Sequence, residues 1–423
     1  MRSGRGGRAA SVAVLALAAT AARADLPPER PYGDSTLRYR VIAPQRAFAA
    51  RPELAALGRR VFFDPALSEP AGLACSGCHD PRRAFSGDRG SAIGAAPGSR
   101  PDRFGTRNTP SLLYARYAPP LYLFMDDDAV VPEPRGGLFA DGRIDTLAQL
   151  PVQPLTNPLE MNNRGAAMVV RKLARAPYAG EFRRRFGAAV FATPARGMAA
   201  LGEALEAFLQ SDGMAPFSSR YDDFIRGKGR LTAQELRGLA LFRNPDKGNC
   251  ASCHGFNETS SDPARSLFTD YAYEAVAVPR NPALPANRDP AHHDLGLCET
   301  AKARHWPQPE QWCGYFRTPS LRNVAVRERY MHNGFFKDLR TVVRYYATRG
   351  TDPWTWYPKG RMFDDVPAAY RRNLNINSTP YNRREGMKPS LDEGEIDAIV
   401  AFLRTLTDQA YEDRLPAAAG APP

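Results

Sequence analysis

Two copies of one short pattern limit what this chain can be: Cys75-Ser76-Gly77-Cys78-His79 and Cys250-Ala251-Ser252-Cys253-His254. Cysteines three apart share one side of a helical turn, so both can form thioethers to the vinyl groups of one porphyrin. The histidine that follows turns its imidazole to the iron as proximal ligand. A redox Cys-x-x-Cys pair does not require that histidine, and a zinc site needs four ligands in compact spacing. The pattern therefore reads as two c-type haem attachment sites, and the expected cofactors are two covalently bound haem c.

The first 24 residues read as an export signal. Arg2, Arg5 and Arg8 precede an Ala/Val/Leu-rich run over 9–22, and Ala22-Arg23-Ala24 is a small-x-small cleavage site before Asp25. That run is shorter than the ~20 residues that span a bilayer, and no later segment comes near that length. The mature protein is expected in the periplasm, cut after Ala24, with no membrane span. Net charge is +12, and the leader holds four arginines and no acid, which leaves +8. Arginine is spread along the chain, and Arg183-Arg184-Arg185 reads as a solvated helix face rather than a nucleic-acid site. The charge favours an acidic protein partner. Cys298 and Cys313 are expected to form a disulfide in an oxidising compartment, the alternative being two free buried thiols. Closing such a loop contributes about 3 kcal/mol in the chain-entropy picture.

A chain of 423 residues exceeds one ordinary core. The two halves repeat one another. Gly58-x-x-x-Phe62-x-x-Pro65 precedes the first haem pattern, and Gly238-x-x-x-Phe242-x-x-Pro245 the second. Thr109-Pro110-Ser111-Leu112 answers Thr318-Pro319-Ser320-Leu321, and Asp141-Gly142 answers Asn333-Gly334. Leu201, Leu205, Phe208 and Leu209 lie on one helical face. Thr232 with Glu235, and Ser390 with Glu393, form capping boxes before apolar helical runs. Residues 80–107 and 255–316 read as loops over the haems. The expected fold is mainly α: two cytochrome c-like helical domains, each with one haem c, related by internal duplication. The boundaries are a signal peptide over 1–24, an extension over 25–52, domain 1 over 53–228, domain 2 over 229–412, and a flexible tail over 413–423.

Counting along the repeat separates the two irons. Thirteen residues after Asp141 stands Pro154, and thirteen after Asn333 stands Tyr346. A phenolate can ligate iron; proline offers no donor atom. Haem 1 is then open on one face and haem 2 closed. No histidine lies between His79 and His254 to close haem 1, although Met125, Met161, Met168, Met198 and Met214 carry donor atoms. Met331, His332, Tyr345 and Tyr346 compete for haem 2.

The chain resembles the bacterial di-haem cytochrome c peroxidase and MauG family over roughly residues 53–408. The carrying motifs are LGRRVFFDPALS, ACSGCHDP, RNTPSLL, ADGRIDTL, PLTNPLEM, CASCHG, RTPSLRNV, YMHNGFFKDL, VVRYY and IVAFLRTLT. The resemblance implies peroxide chemistry at the N-terminal haem. It makes Glu160 the distal acid, with Pro154, Leu155 and Met161 walling that pocket. It places Tyr346 where family peroxidases carry methionine and MauG-like members tyrosine, and His332 beside haem 2. It also implies an inter-haem calcium site built from Asn108 and the main-chain carbonyls of Arg327 and Arg329, although two arginine side chains there would repel a cation. Two further departures are Ala140 in place of the tryptophan usual before DGR, and Leu150 in place of a distal glutamine.

The expected activity is an exported di-haem oxidoreductase that reacts with hydrogen peroxide at haem 1 and passes oxidising equivalents through haem 2. The first reading is MauG-like oxidation of a protein partner. The alternatives are peroxide detoxification with a small cytochrome or cupredoxin as donor, and electron transfer without catalysis. Trp306, Trp312, Trp354 and Trp356 lie in the second half, as exit points for oxidising equivalents or as packing.

Overall fold

The computed structural model describes residues 48–125 and 132–416. The export signal, most of the extension and residues 417–423 lie outside them. The described chain is mainly helical: α1 (Pro52–Phe62), α2 (Cys75–Cys78), α3 (Val152–Thr156), α4 (Ala166–Leu173), α5 (Ala179–Phe186) and α6 (Pro194–Leu209) come first. They are followed by α7 (Arg220–Ile225), α8 (Ala233–Arg243), α9 (Leu297–Ala303), α10 (Leu339–Thr348) and α11 (Glu393–Arg404). Among the described residues, strands are confined to two antiparallel ladders. β1 (Tyr122–Phe124) pairs with β2 (Glu133–Arg135), and β3 (Tyr273–Glu274) pairs with β4 (Phe316–Arg317). The absence of long alternating runs anticipated this: neither ladder exceeds three residues a strand.

Local sequence explains the helices. α6 starts where the Thr193 side chain accepts from the Arg196 amide and Pro194 takes the first turn, where its missing N–H costs nothing. Its Leu201, Leu205, Phe208 and Leu209 then fall on one buried face. Each such burial contributes roughly 1.5–3 kcal/mol. They meet Leu54, Leu57, Val61 and Phe62 of α1 in the first core. α8 opens with the Thr232–Glu235 capping box, as expected. α11 opens two residues later than expected, with the box formed by Asp392 and Glu395 rather than Ser390 and Glu393. Ser390 and Leu391 are buried, so the chain turns into the helix only after them. Glu393 is left to pair with Arg340.

Two larger cores and a smaller one organise the molecule. The second core gathers Phe242 of α8, Val342, Val343 and Tyr345 of α10, and Ile396, Ile399 and Phe402 of α11. α7 lies before the expected boundary at 228, yet its Tyr221 packs in this second core against Phe268 and Phe402. The segment over 255–316 is mostly irregular but contains β3 and α9. It forms a third cluster around Leu297, Trp312 and Tyr315, pinned by the Cys298–Cys313 disulfide. Leu415 of the expected tail packs on both larger cores. A buried carboxylate joins the halves: Asp408 takes the Tyr114 hydroxyl at 2.7 Å and the Asn323 amide at 2.6 Å. Within the second half, Arg322 pairs with Asp222 of α7 at 2.9 Å.

Both principal helix pairs close on a glycine. A Cβ at Gly58 of α1 would collide with the Ala204 carbonyl of α6, and one at Gly238 of α8 with the Ala398 carbonyl of α11. Gly238→Ala is expected to force α8 and α11 apart at a cost of about 1–3 kcal/mol. Urea unfolding should show a lower midpoint; an unchanged midpoint would contradict the close approach.

Candidate haem sites

The two Cys-x-x-Cys-His patterns sit on tight turns. The first is α2, and the second is a single 3-10 turn over Cys250–Ser252. In each the histidine amide bonds back to the first cysteine carbonyl, at 2.9 Å for His79 and 2.8 Å for His254. None of these four cysteines takes part in a disulfide. Burial pushes Cys75 and Cys250 up to about 12 and Cys78 up to about 11. Among the described residues, no group of three or more His, Cys, Asp and Glu side chains could hold a metal ion.

The imidazoles are oriented by carbonyls. His79 Nδ1 lies 3.1 Å from both Phe85 O and Pro110 O, and His254 Nδ1 lies 3.1 Å from Phe268 O. A carbonyl only accepts, so Nδ1 carries the proton and Nε2 keeps its lone pair for a metal. Burial presses both rings down to about 4, so they are neutral at pH 7. The carbonyls are themselves fixed: Ser111 Oγ donates to Ala84 O at 2.5 Å, and Ser320 Oγ donates to Leu267 O at 2.6 Å. Thiols, ring tautomer and burial all fit a porphyrin iron at each position.

The candidate distal pocket of haem 1 is carried by α3 and the turn after it. Leu155 and Met161 are buried in the first core, and Met161 N donates to Pro154 O at 3.1 Å. Glu160 stands within electrostatic reach of Cys78. Burial raises its pKa, while a 2.8 Å hydrogen bond from Asn157 Nδ2 and the nearby Arg143 charge pull the other way. Arg143 pairs with Asp141 at 2.7 Å and lies over the Phe139 ring at 3.7 Å. Phe139 thus accompanies Ala140 in the place noted for its missing tryptophan.

On the haem 2 side the structure separates the four rival ligands. Tyr345 turns into the core and donates to Val276 O at 2.9 Å and Ala277 O at 2.8 Å. Its neighbour Tyr346, about 100° round the helix, lies within electrostatic reach of Cys253 and Cys250, with its hydroxyl 3.9 Å from Met331 Sδ. His332 stacks on Phe316 at 3.6 Å beside the Arg107–Asp294 pair. Its Nε2 is buried without a hydrogen-bond partner, which suits a carboxylate of a bound porphyrin. Of the tryptophans, Trp312 and Trp356 are buried and Trp354 is 39% exposed.

The expected calcium ligands do come together, but not as a calcium site. Asn108 Nδ2, a donor, faces Arg329 O at 3.0 Å and Met331 O at 3.2 Å, and Arg327 O accepts the Tyr330 hydroxyl at 2.9 Å. These residues do not fit the metal. Sequence reasoning also passed over Asn157, Arg143 and Arg107. Each stands inside a motif already noted (NPLEM, DGR, RNTPSLL); Asn157 and Arg143 meet Glu160 and Asp141 within their own motifs, whereas Arg107 reaches Asp294, a partner that no local pattern encodes.

Comparison with known proteins fits this geometry. The profile described as di-haem cytochrome c peroxidase matches residues 52–230. The methylamine utilization protein MauG of Paracoccus denitrificans is 37% identical over 379 residues, covering 88% of this chain and 92% of that one. The cytochrome c551 peroxidase of Pseudomonas aeruginosa is 27% identical over 290 residues, covering 68% and 69%. Among solved structures, the diheme peroxidase BthA of Burkholderia thailandensis is 55% identical, with a TM-score of 0.85 and coverage of 88% and 90%. The chain belongs to the di-haem cytochrome c peroxidase/MauG family and is a peroxide-dependent oxidoreductase.

Intact mass of the exported protein should exceed that of the polypeptide by two haems, and Cys250→Ala with Cys253→Ala should remove one of them. Retention of both haems by the double variant would contradict attachment at the second motif.

Proposed function

We propose that the protein is an exported di-haem c peroxidase that reduces hydrogen peroxide with electrons from a small redox protein. In this reading two cytochrome c-like units, 53–228 and 229–412, descend from one duplicated module. The paired glycine contacts and the paired serine-to-carbonyl bonds support that descent. Cys75, Cys78 and His79 would hold haem 1. Cys250, Cys253, His254 and Tyr346 would hold haem 2. The observation that carries the reading is the pairing of a donor-free Pro154 with a partly buried, hydrogen-bonded carboxylate, Glu160, in the first half. The 55% identity to a diheme peroxidase supports peroxide turnover.

Bound haem supplies the electrons that peroxide reduction consumes. The rest falls to side chains. Leu155 and Met161 keep the pocket apolar, and Pro154 leaves the sixth position free. Glu160 accepts a proton from one peroxide oxygen and delivers it to the other, which departs as water; two electrons and two protons turn one peroxide into two waters. Asn157 aims the carboxylate, and the Arg143 charge helps keep it ionised. Tyr346 would supply a phenol oxygen to the second iron, and anionic oxygen favours oxidised metal.

A carboxylate that must accept a proton works only when ionised. The rate of peroxide reaction should therefore fall as pH drops through the raised pKa of Glu160. Glu160→Gln should lower the rate about 10²- to 10⁴-fold and abolish that acidic limb. Stopped-flow mixing of ferric protein with peroxide measures both; an unchanged rate in the variant would remove Glu160 from the mechanism.

A second reading is MauG-like oxidation of a protein partner, favoured by the tyrosine at 346 and by 37% identity to MauG. Steady peroxide consumption with a reduced small cytochrome supports the first reading. An oxidised state that ignores such donors and decays only with one specific protein supports the second.

A further inference from the structure

We propose that Arg327 is the inter-haem cation of this protein, its guanidinium standing where the family resemblance implies calcium, so that the junction works without the metal. Arg327 is partly buried, and its Nη2 donates to Thr109 O in the other half at 2.9 Å while its Nε donates to Arg329 O at 3.4 Å. Asn108 Nδ2 donates to the same Arg329 O and to Met331 O. The amide orientation is dictated by its partners, because Oδ1 in that place would face two carbonyl oxygens. Tyr330 Oη donates to Arg327 O. Two of the three groups from which calcium would draw oxygens, Arg327 O and Arg329 O, are thus engaged by O–H and N–H donors. Calcium takes six to eight oxygens at about 2.3–2.6 Å, and these donors would have to turn away. The carboxylate at hand, Asp88, is already paired with Arg329 at 3.1 Å.

The same contacts make Arg327 a positioning residue for haem 1. Thr109 O, its acceptor, is one residue from Pro110 O, which holds the His79 Nδ1 proton. The guanidinium therefore braces the segment that orients the proximal ring. Burial lowers the pKa of Arg327, yet a guanidinium stays charged in proteins. A fixed positive charge beside the axial ligand favours reduced iron at haem 1. Unlike a bound metal, it cannot be removed by a chelator.

The inference needs haem at His79 but not the identity of the electron donor, so it can fail while the proposed activity stands. Purified holoprotein treated with EGTA should keep its absorption spectrum and ferric EPR signals, and calorimetric titration with calcium should give no binding heat. Arg327→Gln, which keeps an amide donor but removes the charge, should shift the haem 1 potential downward in a spectroelectrochemical titration. Arg327→Lys, which keeps the charge, should shift it less. One calcium per chain in the wild type, a spectral change on chelation, or an unchanged potential in a folded Arg327→Gln protein would each overturn the proposal.

Discussion

An imidazole that donates through Nδ1 to a carbonyl has one nitrogen left, and its direction is then settled by the backbone that supplies the carbonyl. Both proximal histidines are held in this way, and much of the surrounding structure serves to place those acceptors. Pro110 and Phe85 come from separate segments, as does Phe268 from the stretch before β3. Each acceptor segment is anchored by a serine hydroxyl and by the packing of one helix pair. The rings stay neutral because desolvation presses their pKa values down.

Given two matched proximal sides, the difference between the sites rests on what lies opposite them. The first half offers proline, leucine, methionine and a carboxylate whose ionisation is balanced between burial and the Arg143 charge. The second offers a phenol beside a thioether, with a second tyrosine turned away to bond backbone carbonyls. Between them runs a seam of partly buried arginines: Arg107 on Asp141 and Asp294, Arg327 on a backbone carbonyl, and Arg329 on Asp88.

Much of this was legible in the sequence because it is local. The haem motifs, the apolar face of α6 and the Thr232–Glu235 box each lie within a few turns of chain. The α11 cap was misplaced by two residues because Ser390-x-x-Glu393 and Asp392-x-x-Glu395 satisfy the same rule. Burial of Ser390 and Leu391, a tertiary fact, decided between them. The choice between Tyr345 and Tyr346 depends on carbonyls near residue 276 and lay open to spacing alone. The surroundings of the expected calcium ligands were only partly legible for a related reason. The motif placed the carbonyls of Arg327 and Arg329 correctly, but nothing local announced that the Arg327 side chain folds back toward Thr109.

The central claim is that the irons differ in their sixth ligand, and ferric EPR of wild type beside Tyr346→Phe tests it most directly. The wild type should give one high-spin signal from the open site and one low-spin signal from the capped site. The variant should lose or shift the low-spin signal alone, while the high-spin signal stays. Two low-spin signals in the wild type, or a low-spin signal unmoved by the substitution, would contradict the account.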